Sequence, residues 1–432
     1  MATPWRFLIL FFGLSAAAPL AMAQLHPANP VREWAIAGSP PVKASLVSFD
    51  GASVVLRLVN GQRTTAAADS LGEADLAYLA GWQESQPIVL PDSVSVDINK
   101  IPVEVVREDE AANVFVYRTP HFEFACEGKL TQNLLRDVAR NFEATYELVK
   151  ALPWGIQPVP EEGERFRALL VRTRARYEEE GGPKNSGGVY FGSRNLFIVP
   201  FESIGIEPVG KSFKKSSDYR SDTLVHELTH QMMHSWLRIL PQWVVEGTAE
   251  YTNILPLRLG TFRVSAAKSG LKDYIDYLKP RGGVPEPYPI DNLLTVDGRE
   301  WSGILAADPK QSRRLYFTAY LLVNYFMHLD GKGDGAQFVK YMRAVGKYQN
   351  EMARYLKEVA DFKKLPGVEV AADGRYRWPN ALTHPAEPAF LATEESRAEA
   401  EKSTLAILLD GRTPEQLMEQ IKTAYRRLGV KL

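Results

Sequence analysis

The stretch His226-Glu227-Leu228-Thr229-His230 is followed sixteen positions later by Glu246, within Trp243-Val244-Val245-Glu246-Gly247-Thr248-Ala249-Glu250-Tyr251. Two histidines four apart on a helix share a face, with Cβ atoms roughly 6 Å apart. Both imidazoles can therefore point at one cation. Zinc sits about 2.0–2.1 Å from each ligating nitrogen and takes a third protein ligand, leaving the fourth position for water. Glu227 is offset by one residue, so it lies beside the metal face and reaches that water rather than the metal. The pattern supplies a metal-held water and a base to deprotonate it. The chain has only seven histidines, and three of them (His226, His230 and His234) fall within nine residues. The plainer reading of the motif is an amphipathic helix with histidines on a half-buried face.

Bulk properties bound the rest. A chain of 432 residues, 45% hydrophobic and 24% charged, is ordinary globular material with room for two or three domains. Lys and Arg number 51 against 52 Asp and Glu, a net charge of −1. No global basic field exists to hold nucleic acid or an anionic membrane. The cluster Lys211, Lys214, Lys215 and Arg220 is local. It reads as a solvated loop, or, because it precedes the histidine motif, as a substrate-facing one. Residues 1 to 23 have the pattern of a cleavable secretory signal: Arg6, an apolar run from Phe7 to Leu20, and Ala21-Met22-Ala23 before Gln24. An uncleaved anchor is the alternative. The expected location is secreted or periplasmic, with no stable membrane insertion after cleavage. Cys126 is the only cysteine, so no intramolecular disulfide forms and a thiolate-bound structural zinc is excluded. In Phe122-Glu123-Phe124-Ala125-Cys126 it reads as a packed strand residue.

The periodicities order the chain. Val42 to Leu46 and Val54 to Val59 alternate like strands, and Asn60-Gly61 signals a hairpin into Arg63 to Ala67. A short helix from Gly72 to Trp82 follows. With Arg32-Glu33-Trp34 at its start and Leu71-Gly72-Glu73-Ala74-Asp75 leading to Leu79 at its close, this segment resembles the small SH3-like barrel of the Sla-type homology domain. The resemblance implies a binding or spacer module without chemistry and a protein partner for it, with Trp34 and Trp82 as core or groove aromatics. A linker at Gln86 to Pro91 leads to strands between Ser93 and Cys126, then a helix over Leu130 to Leu152 and a buried strand at Arg167 to Thr173. A hairpin pairs Val189 to Phe191 with Leu196 to Val199, and the edge of the strand Phe197 to Phe201 could take an extended peptide. The metal helix is expected from about Asp222 to Leu237, capped by Ser221 or Asp222. A second helix starts at Pro241. Gly260 to Ser312 reads as an irregular crossover lining the cleft. Helices follow over Arg313 to Asp330, Gln337 to Val359 and Pro414 to Leu428.

After the histidine motif, Trp-x-x-Glu-Gly-x-Ala-Glu-Tyr resembles the second motif of the gluzincin clan, in particular its peptidase-MA-like families, over roughly residues 120 to 345. The resemblance implies a zincin-like domain in which Glu246 is the third zinc ligand. It also implies that Glu250 holds the first histidine from behind, fixing its tautomer. A surface glutamate, or Glu250 as the ligand in place of Glu246, are the alternatives. The spacing from His230 demands a tight turn through Arg238 to Pro241. The metzincin pattern is excluded, because its glycine and third histidine would fall at Met233 and Trp236. His234 has turned about 80° away from His226 and reads as packed or solvated. The family's Tyr-x-x-Ala-Tyr helix resembles Tyr316-Phe317-Thr318-Ala319-Tyr320, which implies an oxyanion donor at Tyr316 or Tyr320, against aromatic packing as the alternative.

The expected fold is α+β: an SH3-like module over 32–85, a zincin-like domain over 93–345 and a helical region over 346–432. The expected function is a secreted Zn2+-dependent metallopeptidase acting on peptide or protein substrates, with His226, His230 and Glu246 as ligands, Glu227 as base and Tyr316 as oxyanion donor. An endopeptidase is favoured, because no glycine-rich exopeptidase signature is visible. The alternative is a non-catalytic extracellular binding protein with a structural zinc.

Overall fold

A computed structural model describes residues 29–49, 53–160, 163–184, 186–210, 212–216, 223–371 and 374–432. The segment expected to be a secretory signal, the expected caps Ser221 and Asp222, and Lys211 and Arg220 lie outside the described residues. The fold is α+β, about 49% helix and 19% strand, with mixed sheets. Two compact units divide at Leu76 and Ala77.

The first unit holds β1 (Val31–Trp34), β2 (Val42–Phe49), β3 (Ser53–Leu58) and β4 (Arg63–Ala67), paired antiparallel in that order. Gly61 sits at φ +84° in the turn between β3 and β4, a conformation that favours glycine. Trp34 is fully buried and its indole N–H donates to the Ala44 carbonyl, so this aromatic is core. Arg32 pairs with the buried Asp75 at 2.7 Å. The closed barrel expected here does not form. Among the described residues the two sheet edges are joined only by the isolated bridge Ile36–Leu71. After β4 the chain turns into α1 (Glu73–Ser85) instead of returning a strand long enough to pair with β1.

The second unit is built on a six-stranded mixed sheet. Its strands in chain order are β6 (Glu104–Asp109), β7 (Val114–Arg118), β8 (Phe122–Cys126), β9 (Phe166–Val171), β10 (Val189–Phe191) and β11 (Leu196–Pro200), with β5 (Val94–Ser95) in a separate small sheet. The spatial order is β10-β11-β9-β8-β7-β6, parallel at β8–β9 and β9–β11 and antiparallel elsewhere. The strand running to Phe201 is therefore interior and offers no free edge. The edge belongs to β10, because the hairpin folds it onto the outside of β11. Cys126 is buried at the end of β8, and burial pushes its thiol up, as suits a packed residue.

Against this sheet lies α2 (Gln132–Ala151), capped by Thr131, whose hydroxyl accepts from the Leu134 N–H. Its buried Leu134, Leu135, Val138, Phe142 and Val149 recur at helical spacing. After α3 (Arg174–Glu179), β12 (Ile206–Val209) and β13 (Ser212–Lys215) come α4 (Leu224–Met232) and α5 (Gln242–Ile254). The turn between α4 and α5 is a short 3-10 segment, His234–Trp236, closed by bonds from Leu237 N to His234 O and Leu240 N to Trp236 O. The α-helix thus stops five residues before the expected Leu237, and Pro241 becomes the cap of α5 rather than its first residue.

The segment expected to be irregular is largely helical. Beyond β14 (Leu257–Arg258) and β15 (Thr261–Phe262) it forms α6 (Ala267–Leu278), α7 (Ile290–Thr295) and α8 (Gly298–Ala307). Asp297 caps α8 by accepting from the Arg299 and Glu300 N–H groups, and Pro289 precedes α7. Its glycines and prolines mark the joints between short helices rather than a continuous loop. Next come α9 (Pro309–His328) and α10 (Ala336–Phe362), which runs straight through the boundary expected at 345. The small hairpin β16 (Glu369–Val370) and β17 (Tyr376–Arg377) precedes α11 (Glu394–Leu409) and α12 (Pro414–Arg427). No described helix is long and apolar enough to cross a membrane.

The centre of this unit is the crossing of α5 on α9, two helices buried on nearly all faces. A Cβ on Gly247 would lie 2.6 Å from the Ala319 carbonyl oxygen and 2.8 Å from Val323 Cγ2, so only glycine permits this approach. From the other side Tyr425 of α12 clamps α9: its hydroxyl donates to Leu321 O and accepts from the Asn324 amide, both at 2.9 Å. Gly247→Val should force α5 and α9 apart and destabilise the fold by about 1–3 kcal/mol, as overpacking does. A fall in the thermal midpoint followed by circular dichroism checks this, and an unchanged midpoint would refute the contact.

Candidate metal centre

Two helices build the centre, and packing fixes each. Leu224, Val225, Leu228 and Met232 bury one side of α4, which leaves His226 and His230 on the adjoining stripe. The buried Thr229 and Thr252 hydroxyls meet at 2.7 Å and tie α4 to α5. Glu246 is carried on α5 with its carboxylate inside the protein, 8% exposed. Gln242, one turn earlier, donates to Glu246 Oε1 at 2.9 Å and so orients the carboxylate.

The other carboxylate oxygen decides the site. Glu246 Oε2 is sealed from solvent without a hydrogen-bond donor, 3.3 Å from His226 Nε2 and 3.4 Å from His230 Nε2. The two Nε2 atoms are 3.0 Å apart. A tetrahedral cation with bonds of 2.0–2.1 Å has ligand atoms about 3.3 Å from one another. The three separations are therefore those of one face of a zinc tetrahedron, and three potential ligand atoms converge, the Glu246 oxygen among them without a donor of its own. The donor set, two imidazoles and a carboxylate, suits zinc and leaves room for a fourth ligand.

The electrostatics point the same way. Burial by itself lowers the affinity of His226 for a proton, but the carboxylates of Glu246 and then Glu250 outweigh it and raise this imidazole well above its ordinary value. Burial would raise Glu246, yet His230 and His226 hold its carboxyl far below the usual range. The cluster demands positive charge at its centre. A divalent cation, if bound, would answer that demand and displace the proton.

Glu250 lies one turn beyond Glu246, with Oε1 3.1 Å from His226 Nδ1. It sits behind the ring, on the opposite nitrogen from the converging atoms, and so orients the imidazole; the arrangement with Glu250 in front does not occur. Glu227 flanks the cluster, half-buried. Its Oε2 accepts from the Tyr190 N–H of β10 at 3.1 Å. Burial lifts its carboxyl above the ordinary value, although His226, His230 and this N–H pull the other way. A carboxylate raised in this manner is a better proton acceptor near neutrality.

Tyr316 lies at the N-terminal half of α9 with its ring 6.1 Å from that of His226, held edge-on by Trp301 of α8 at 5.6 Å. Burial, and then the charges of Glu246, Glu250 and Glu227, push its phenol upward, so it stays protonated and able to donate. Tyr320, one turn further on, is buried against Tyr274 at 5.5 Å and belongs to the core. His234 does not join the cluster; its Nδ1 pairs with the Tyr190 hydroxyl at 2.7 Å.

Sequence reasoning missed Tyr190 and Gln242. Tyr190 acts through its backbone, which side-chain type does not reveal. Gln242 stands four residues before Glu246, a helical neighbour that spacing could have disclosed. No family model matches the chain, and no curated protein matches it either.

Replacing Glu250 by Gln should weaken zinc binding by about 10–100-fold, the usual cost of losing the group behind a ligating histidine. Glu246→Gln should weaken it further. Competition against a chromophoric chelator measures both, and affinity unchanged in both variants would remove the site.

Proposed function

We propose that the protein is a zinc-dependent peptidase of the gluzincin type, with a zincin-like catalytic domain around the mixed sheet and an N-terminal module related to the SH3-like Sla-type domain. The observation that carries this reading is the orphaned Glu246 oxygen set at tetrahedral-edge distances from two imidazole nitrogens, with a carboxylate that ligates nothing beside it.

His226, His230 and Glu246 would hold the metal, which when bound supplies an acidified water and a Lewis acid for the scissile carbonyl. Glu227 takes the proton from the attacking water and delivers it to the departing amine. The Tyr190 N–H keeps that carboxylate aimed and discourages it from swinging onto the metal. Tyr316 stands on the His226 side, where its phenol donates to the oxygen that gains charge during attack. The exposed edge of β10 beside Glu227 is suited to an extended peptide, whose main chain would add to the sheet and lie across the base. Secretion through the N-terminal signal belongs to the same proposal.

A peptide library incubated with and without a chelator tests the activity, and cleavage should require the metal. Glu227→Gln should abolish hydrolysis while zinc remains stoichiometric. Full activity in that variant, or no cleavage by the native protein, would leave only a structural zinc. Tyr316→Phe should lower kcat by about 100-fold with little change in KM, the cost of losing one oxyanion donor. An unchanged kcat would return Tyr316 to aromatic packing.

A further inference from the structure

The strand that reaches Glu227 is the shortest in the main sheet. β10 is three residues long, pairs on one side only and has no fully buried residue. A short edge strand of this kind opens readily unless something ties it down. Val189 and Phe191 pack against Val171, Tyr177 and Ile198. Tyr190, between them, points to the other face of the sheet, with its N–H on Glu227 Oε2 at 3.1 Å.

The Tyr190 side chain supplies the tie. Its hydroxyl donates to Asn195 Oδ1 at 3.2 Å and lies 2.7 Å from His234 Nδ1. A phenol has one proton. With that proton given to Asn195, the oxygen accepts from His234, whose ring therefore carries a proton on Nδ1. Asn195 is buried in the turn that joins β10 to β11, at φ +45°, a left-handed conformation that asparagine tolerates. His234 begins the 3-10 segment that follows α4. Its ring meets that of Tyr190 edge-on at 5.7 Å, and a Cβ on Gly192 of the same turn would lie 3.6 Å from the imidazole. One hydroxyl thus joins the strand, the hairpin turn and the end of the helix that carries Glu227.

We propose that Asn195 and His234, acting through the Tyr190 hydroxyl, form a strut that fixes β10 against α4 and so holds the Tyr190 N–H on the Glu227 carboxylate. They are positioning residues, and neither belongs to the converging groups. The catalytic consequence rests on the peptidase reading, in which Glu227 is the base. In such a site a misplacement of about 1 Å costs about 100-fold in rate.

Hydrogen–deuterium exchange in the full chain, read by mass spectrometry on overlapping peptides across residues 187 to 192, follows the Tyr190 amide without reference to activity. Tyr190→Phe removes only the hydroxyl, and His234→Ala removes the donor. Both should speed exchange of that amide by about tenfold, as loss of one hydrogen bond does. His234→Asn places an amide N–H near the position of Nδ1–H and should restore protection. In the peptide-cleavage assay the first two variants should lower kcat by about 10- to 100-fold, while zinc affinity by chelator competition stays at the native value. Faster exchange in Tyr190→Phe and His234→Ala, with recovery in His234→Asn, supports the strut. Native exchange in those two variants overturns it, as does native kcat. Equal loss in His234→Asn would assign the effect to the bulk of the ring and overturns it too. If the native chain cleaves no peptide, the peptidase reading fails, and the exchange measurements still decide the strut.

Discussion

Everything at the centre of this protein depends on a buried carboxylate that is half satisfied. Gln242 occupies one oxygen of Glu246, and the other is left facing two imidazoles inside the protein. Burial of a carboxylate is costly unless positive charge compensates it. Here protonated histidine or a metal ion can supply that charge. The fold holds these groups together because α4 and α5 are joined by a turn too short to let them diverge and are locked by the Thr229–Thr252 contact.

A second constraint sets what surrounds the cluster. Gly247, next to Glu246, lets α5 lie directly on α9, which brings Tyr316 to the His226 side. The same residue neighbourhood thus serves ligand placement and helix packing together. Support for α9 comes from the C-terminal end of the chain. Tyr425 bonds into its backbone and side chains, and Arg412 pairs with Asp330 just beyond its end at 2.9 Å. The C-terminal helices therefore belong to the body that carries the site, and no break separates them at 345.

The third element is the edge strand. The β10–β11 hairpin places Tyr190 so that its N–H reaches Glu227 while its hydroxyl reaches His234 and Asn195. One residue aligns the proposed base and anchors the strand on which an extended substrate would lie. His234 is engaged by the Tyr190 hydroxyl, which accounts for a third histidine near the motif that does not join the converging groups.

Spacing alone was enough to place His226, His230 and Glu227 side by side, because four-residue separation on a helix is a local property. Glu246, Glu250 and Tyr316 were legible only through resemblance, since their roles require two further helices to converge. The strands and long helices followed from hydrophobic period, while the helices between 267 and 307 were hidden by glycines and prolines that mark their joints. Which strand forms the sheet edge, which tyrosine turns toward the histidines, and whether four N-terminal strands close into a barrel all depend on contacts between distant segments. Chemistry that lives within one helical turn is written in the order of residues. Chemistry that needs an orphaned oxygen or a glycine-wide gap between helices exists only once the chain has packed.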